Sequence, residues 1–481
     1  MVEGPSGVGV SRATDPDVVA ARIATRLNLL EDRDWEAASA RVLPAGASRT
    51  TYAVDLADPN GEKRSVIVRA VPAAEPGAAG LAAEARVLSA AMAAGVPVPA
   101  VLDVADSADG ADGHDRADFL GFPYVVMDFV DGESIPRKIL RDDTFTSARA
   151  AFVTQVGDIL ARIHTIDDDA VGEVPVVDDP VDALGRLFPR EYAEMPAGLV
   201  LATEWLRAHR PESAHRTVVH GDFRLGNLLV TADGVSAVLD WELVHLGDPV
   251  EDLGWLCAKA WRFGADRAVA GMGDRDDLLD AYARAAGWRP SIDTLRWWEL
   301  YATVRWGLIC GFQANRHIDG AESSMELAAV GRRSAEQEFD ALLALGIVDP
   351  EHVPDPLTAP STADERPHGP PSRGDLLAAV RGFLTGELSS EALSGSARFH
   401  TRVAANVIDI VHRQLLLGDR QTRESALRWR ELGVEPDADI VGALRDGALD
   451  ATDPAVRGAV AADVRDRLVV VNPRHFSMPN P

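Results

Sequence analysis

Apolar positions along this chain change period several times, and each change marks an element. Val18, Ile23, Leu27 and Leu30 recur at helical spacing, which predicts an amphipathic helix over Asp15 to Leu30. Three strand-like runs follow, Trp35 to Leu43, Thr51 to Leu56 and Ser65 to Val71, separated by the turn-rich segments Pro44 to Ser48 and Ala57 to Gly61. Ala82 to Ala94 is alanine-rich and helical in pattern, and Gly95-Val-Pro-Val-Pro99 stops it. An acidic, glycine-bearing loop from Asp106 to Asp118 precedes one more strand, Phe122 to Phe129. From Asp143 onward the pattern is helical, with Phe152, Val156, Ile159 and Ile163 on one face. Two long helical stretches, Ser291 to His317 and Glu322 to Leu345, close this part.

Val348 to Ser372 carries seven prolines and reads as a linker. Beyond it, Ser372-Arg-Gly-Asp375 has capping-box spacing, and Leu376, Val380, Phe383 and Leu384 mark an apolar face. A second helix carries Phe399, Val403, Val407 and Ile410 and is expected to end at Gly418; Asp453-Pro454 starts a last helix reaching Val471. Residues 373 to 481 are therefore expected to fold as a helical bundle of their own.

The polar residues of Val218 to Trp255 interrupt this pattern in a way packing does not require. His220, Gly221 and Asp222 follow the apolar pair Val218 and Val219, Asn227 stands five residues after Asp222, and the run Val235 to Leu239 delivers Asp240. Two carboxylates and a carboxamide at the ends of short strands can converge on a hard cation such as Mg²⁺. Such a cluster suits phosphoryl transfer, which asks a protein chiefly for positioning and charge neutralisation. Asp222 would take the proton of an acceptor hydroxyl, Asn227 and Asp240 would hold the metal, and Arg224 would set a permanent charge over the transferring group. The spacing H-x-D-x-x-x-x-N is that of the protein-kinase catalytic loop, and Asp240-Trp241-Glu242 stands where a kinase has Asp-Phe-Gly.

HGDFRLGNLL followed by LDWELVHLGDPVEDLGW resembles the aminoglycoside phosphotransferase family of small-molecule kinases, and within it the branch fused to some acyl-CoA dehydrogenases. The likeness spans roughly Arg41 to Gly346. It implies an α+β, two-lobed, protein-kinase-like fold with a strand-rich N-lobe over residues 1–129 and a helical catalytic lobe over 130–347. The linker 348–372 and an all-α bundle over 373–481 follow, the latter resembling an uncharacterised family found beside such kinases. ATP and Mg²⁺ are the implied cofactors. By the same resemblance Gly46 and Ser48 lie in the loop over the ATP phosphates, Arg69 reaches the phosphates and is braced by Glu84, and the Asp128 carbonyl and Val130 amide meet adenine. His220 and Asp252 support the catalytic loop, Asp252 standing at a helix-capping position. Arginine at residue 69 departs from the usual kinase lysine, and none of the three lysines, Lys63, Lys138 and Lys259, fits that place. Arg305 and Arg316 could meet an anionic group of the acceptor or pair with nearby carboxylates, and the tryptophans at 297, 298 and 306 read as core before pocket wall.

Composition narrows the picture further. At 481 residues and 46% hydrophobic content, the chain suffices for two or three cores. A net charge of -27 disfavours nucleic acid and anionic membrane as partners. Neither a run of eighteen apolar residues nor a signal-peptide layout is present, so a cytoplasmic protein is expected. Cys257 and Cys310, without histidine clusters at metal spacing, argue against disulfide scaffolds and structural zinc. The expected partner is a small-molecule hydroxyl acceptor, either hydroxyacyl-CoA-like, as the motif wording suggests, or an antibiotic or other metabolite, a cationic one being favoured by the acidic charge, with homo-oligomerisation through the C-terminal bundle a second expectation. A catalytically inactive kinase-like fold, binding nucleotide or acyl-CoA as an interaction module, is the alternative reading.

Overall fold

The structure, a computed structural model, describes residues 15–43, 50–70, 80–105, 120, 122–212, 215–358, 371–386, 388, 393, 395–435 and 439–477. Strands concentrate near the start and helices dominate the rest. In chain order the first elements are α1 (Pro16–Glu31), β1 (Glu36–Leu43), β2 (Thr50–Ala57), β3 (Lys63–Ala70), α2 (Leu81–Ala93), β4 (Val101–Ala105) and β5 (Tyr124–Asp128). Next come α3 (Pro136–Arg141), α4 (Thr146–Ile163), α5 (Asp168–Val171), α6 (Pro180–Leu187), α7 (Pro189–Ala193) and α8 (Ala197–Ala208). The short strands β6 (Thr217–Val219), β7 (Leu228–Thr231), β8 (Gly234–Val238) and β9 (His245–Gly247) are followed by α9 (Val250–Cys257), α10 (Arg275–Ala286), α11 (Ile292–Ile318), α12 (Met325–Arg332) and α13 (Ser334–Ala344). The last helices are α14 (Arg373–Thr385), α15 (Gly395–Glu431), α16 (Ile440–Arg445) and α17 (Pro454–Val471).

Two compact units emerge from the packing. The first comprises Met1–Val176, Ala214–Asp252 and Asp276–Arg289. Its centre is a five-stranded sheet of order β1-β2-β3-β5-β4, in which all the pairings are antiparallel. Alternation along the strands assigns the two faces. Tyr52, Val54 and Leu56 of β2, Val66 and Val68 of β3, and Tyr124 and Val126 of β5 pack with Val19, Ile23 and Leu27 of α1. Burying side chains of this size stabilises by roughly 1.5–3 kcal/mol each, enough to hold α1, which Asp15 caps through the Asp17 amide. The other face is offset by one residue: Ile67 pairs with Met127 and Arg69 with Val125, and this face turns toward the site described below.

The second unit comprises Val177–Ser213, Leu253–Arg275 and Pro290–Pro481. Trp297, Trp298 and Tyr301 of α11 are each only 3% exposed, Trp297 stacked on Tyr301 and Trp298 edge to face with both, so this part of the tryptophan-rich stretch is core. Arg305 is buried with its guanidinium 4.7 Å from the Trp255 ring centroid, and Arg316 pairs with Glu322 at 2.7 Å. The C-terminal helices share this unit's core. Arg467 of α17 pairs with Glu338 of α13 at 2.6 Å, Asn472 donates to Glu336 at 2.9 Å, and the Phe476 and Phe339 rings meet edge to face at 5.1 Å. Buried Asp340 receives both Lys259 at 2.7 Å and His475 at 2.8 Å.

Several expectations shift. The stretch expected as one helix from Glu322 to Leu345 is two, because the chain tightens to an i,i+3 turn where the Arg333 amide bonds the Val330 carbonyl. Conversely Gly418 does not end its helix: α15 runs 37 residues straight through it. A glycine inside a helix costs only about 1 kcal/mol, and packing of α15 against α12, α14 and α17 outweighs that. Asp248, whose carboxylate accepts the Val250 amide, caps α9, while Asp252 lies inside its first turn. The box at Ser372 and Asp375 forms with both of its hydrogen bonds.

Candidate active site

β6 ends where the Val218 and Val219 side chains are fully buried, and the next residue turns polar without reaching solvent. His220 is 0% exposed, between Phe223 and Trp241 with ring centroids at 5.8 and 4.6 Å. Its Nδ1 accepts the Asp222 amide at 3.1 Å, which places the ring proton on Nε2, facing the Leu239 carbonyl at 3.1 Å. Burial holds this imidazole's pKa below its ordinary value, in keeping with a neutral ring. Through those two bonds His220 joins the loop carrying Asp222 to the strand end that delivers Asp240.

Gly221 follows in the left-handed region at φ 80°, where a Cβ would lie 2.5 Å from the Leu243 carbonyl oxygen, so only glycine fits. The turn is held from below by Asp252, itself 0% exposed. One of its oxygens accepts the His220 amide at 2.8 Å and the other the Gly221 amide at 2.9 Å. The first also meets His164 Nε2 at 3.2 Å, and His164 Nδ1 bonds the Tyr282 hydroxyl at 2.9 Å. Burial alone would raise the Asp252 pKa, but His164 and the His220 amide outweigh it and hold the carboxylate ionised below its ordinary range.

Above this clamp, Asn227 Nδ2 donates to Asp222 Oδ2 at 2.6 Å and to the Asp222 carbonyl at 3.0 Å. Arg224 Nε donates to Asp222 Oδ1 at 3.0 Å, so the guanidinium rests on the proposed base. Asp240 follows β8 with φ 67°, a conformation that costs a residue with a Cβ of order 1 kcal/mol or more and is typical of functional turns. Its pKa is raised, first by burial and then by the Asp222 charge, with Arg69 and Arg224 opposing. Arg69 Nη1 is paired with Glu84 Oε1.

A cleft of about 540 Å³ gathers Arg69, Glu84, Asn227 and Asp240 with Asp128 and Val130, and Ile67, Leu88, Met127 and Leu229 supply apolar wall. Asp222 joins it through Asn227, and Arg64 fixes the Asp128 side chain by pairing with both Asp128 and Glu31. His220 and Asp252 stand behind it. Gly46 and Ser48 lie outside the described residues. One contributor has no signal in the sequence: Tyr282 reaches His164 from 118 residues away with no motif of its own. Trp241, in the position of the kinase Phe, lines the cleft while its Nε1 bonds the Val238 carbonyl at 3.3 Å.

Among the described residues no three His, Cys, Asp or Glu side chains are grouped to hold a metal. The donors that are present nevertheless fit Mg²⁺, which takes one or two protein oxygens and completes its shell with water and phosphate. Asp240 offers a carboxylate short of countercharge. Asn227 commits its Nδ2 to Asp222, so that its Oδ1 would be the atom to meet a metal.

An antiparallel sheet carrying a braced arginine, and a loop whose Asp222 bonds the Asn227 that shares a cleft with Asp240, fit a small-molecule phosphotransferase of kinase-like fold. The chain belongs to the phosphotransferase enzyme family, also called the aminoglycoside phosphotransferase family, whose profile matches residues 39–288. A domain family of unknown function matches residues 391–475. Mouse (Mus musculus) acyl-CoA dehydrogenase family member 10 is 31% identical over 245 residues, covering 48% of this chain and 21% of that protein. Rattus norvegicus acyl-CoA dehydrogenase family member 11 is 26% identical over 50% of this chain and 32% of its own length, so the chain spans only a fifth to a third of these relatives. Viomycin phosphotransferase of Streptomyces vinaceus is 30% identical over 34% of this chain and 55% of its own. A solved aminoglycoside phosphotransferase-like protein from Ralstonia eutropha shares the fold with a TM-score of 0.52 at 23% identity, covering 67% of this chain and 96% of that one.

Proposed function

We propose that the protein transfers the γ-phosphoryl group of ATP, with Mg²⁺, to a hydroxyl of a small molecule, and that this acceptor is a hydroxyacyl thioester of coenzyme A. The observation that carries the reading is the linked set Asp222, Asn227 and Asp240, joined by His220 and held by Asp252. Asp222 orients the acceptor hydroxyl and takes its proton as the oxygen attacks. Arg224, resting on Asp222 before substrate enters, has the charge to follow the transferring group. Arg69, kept in place by Glu84, grips the α- and β-phosphates with a planar fork that a lysine lacks. The Asp128 carbonyl and Val130 amide meet the adenine edge in the apolar part of the cleft. Asp240 and Asn227 would hold Mg²⁺, which would supply charge neutralisation to the nucleotide's phosphates.

Likeness to the acyl-CoA dehydrogenase family members supports the acyl-CoA acceptor, and the net charge of -27 supports a partner other than nucleic acid or anionic membrane. Among the described residues no helix is long and apolar enough to cross a membrane. The test is ADP release by the purified protein with Mg²⁺ and ATP. Release should rise with 3- or 4-hydroxyacyl-CoA and stay at background with viomycin- or kanamycin-type compounds. The opposite ranking assigns an antibiotic acceptor, and background release with both classes overturns the acceptor assignment.

A further inference from the structure

Asn227 and Asp240, the proposed Mg²⁺ ligands, stand at the two ends of one hairpin. Asn227 immediately precedes β7, Asp240 closely follows β8, and the Leu239 amide bonds the Asn227 carbonyl at 2.8 Å, which ties the ends to each other. The same hairpin is bonded to the segment after β5, where Asp128 and Val130 line the cleft. Glu133 and Val230 exchange amide-to-carbonyl bonds of 2.9 and 3.0 Å, and Ser236 Oγ donates to the Asp131 carbonyl at 2.7 Å. A third piece of chain, residues 97–100, closes the ring. Its Pro97 carbonyl accepts the Val238 amide of the hairpin at 2.8 Å, and its Ala100 carbonyl accepts the Asp128 amide at 2.9 Å.

Gly132 permits the close approach of segment and hairpin. A Cβ there would lie 2.8 Å from Leu229 Cβ, 2.9 Å from Ser236 Oγ and 3.1 Å from the Val230 nitrogen. Leu229 Cβ and the Val230 nitrogen belong to the strand itself and cannot swing aside, so any larger residue would push the two pieces apart. The reach of a nucleotide from base to phosphates is limited, and binding constellations work within about 0.5 Å of their productive geometry. A cleft therefore gains base and metal contacts together only when its two ends are spaced to match.

We infer that Gly132 and Ser236 are positioning residues of the nucleotide cleft. The approach that Gly132 permits and Ser236 pins fixes the spacing between the base-binding segment and the metal ligands, and so couples adenine binding to Mg²⁺-phosphate binding. The inference rests on the phosphotransfer reading for what occupies the two ends and adds what links them.

Calorimetry on the full chain gives the Kd of ATP with Mg²⁺, of ATP in EDTA and of adenosine, for the wild type and for Gly132→Ala, Ser236→Ala, Ser236→Thr and Gln155→Ala. Mg²⁺ should strengthen ATP binding by the wild type. In Gly132→Ala that gain should fall about tenfold, within the range of about 5- to 150-fold typical of coupled sites, while adenosine binds within about twofold of wild type. Ser236→Ala should lose about threefold, the worth of one hydrogen bond, and Ser236→Thr, which keeps the hydroxyl, should restore it. Gln155 of α4 tests for a merely structural role. Its amide grips the far turn of the same hairpin, with Nε2 donating to the Asp233 carbonyl at 3.3 Å and Oε1 accepting the Val235 amide at 3.0 Å. Gln155→Ala should lower Tm and leave the Mg²⁺ gain at its wild-type value.

A wild-type gain in Gly132→Ala, an equal weakening of adenosine and Mg²⁺-ATP in that variant, or the same loss of gain in Gln155→Ala overturns this inference alone. Absence of Mg²⁺-dependent ATP binding by the wild type overturns the phosphotransfer reading and the inference with it. Where Gly132→Ala fails to fold, the serine pair decides, and a wild-type gain in Ser236→Ala is then the overturning result.

Discussion

Asp252 accepts the backbone amides of His220 and Gly221, one on each carboxylate oxygen, at 2.8 and 2.9 Å. The turn that aims Asp222 is thus fixed by a residue on the following helix as well as by its own local geometry at His220 and Gly221. Removing a buried acceptor of this kind leaves two amides and an imidazole unsatisfied. Asp252→Ala should therefore lose about 3 kcal/mol of stability. Urea denaturation measures it, and a loss under about 1 kcal/mol would show that water replaces the carboxylate.

The carboxylates of the cleft should divide their labour. Asp222→Asn should bind nucleotide normally while kcat falls by about 10² to 10⁴, the range for a positioned base. Asp240→Ala should instead weaken nucleotide binding in the presence of Mg²⁺ and change it little in EDTA. Calorimetry with an ATP analogue, paired with ADP release, separates the two effects; wild-type turnover by Asp222→Asn would remove it as the base.

Stability should also depend on pH through His220. Its folded pKa is depressed by burial, so the neutral ring is favoured by the fold and the unfolded chain takes up the proton first. That contribution is complete above the unfolded histidine value of about 6.5 and is lost as pH falls below it toward the folded value. Denaturation midpoints measured between pH 8 and pH 5 should drop through this window. His220→Asn, which cannot titrate, should show a flatter profile around a lower maximum.

A fourth expectation concerns the end of the second unit. Phe476 is 0% exposed against Phe339, and replacing a buried phenylalanine by alanine costs about 3–5 kcal/mol. Phe476→Ala should lower the urea midpoint accordingly. A chain shortened after Val471 should lose more, because Asp340 and Glu336 give up His475 and Asn472 as well. Unchanged unfolding of the shortened chain would show that these contacts contribute little.

What could be read in the sequence was whatever is local. The five-residue step from Asp222 to Asn227, the Asp240 carboxylate at a strand end, the box at Ser372 and the period-two alternation through Tyr52, Val54 and Leu56 depend on neighbours a few residues away. Long-range satisfaction could not be read. Nothing near Tyr282 announces that its hydroxyl closes a string through His164 to Asp252, and nothing near His475 announces Asp340. Gly418 misled for a related reason, since its helix is sustained by helices elsewhere in the chain.

The Asp340 arrangement also constrains when the protein can finish folding as it is made. Lys259 and Asp340 leave the ribosome well over a hundred residues before His475 and Phe476. During that interval Asp340 has only one of its two partners, and one face of Phe339 lacks its cover. Domains usually complete in order of synthesis, but the second unit must keep its central helices waiting for residues near 475. Ribosome-bound chains stalled before and after that point should therefore differ sharply in protease resistance across α13, even though the nucleotide cleft is fully synthesised in both.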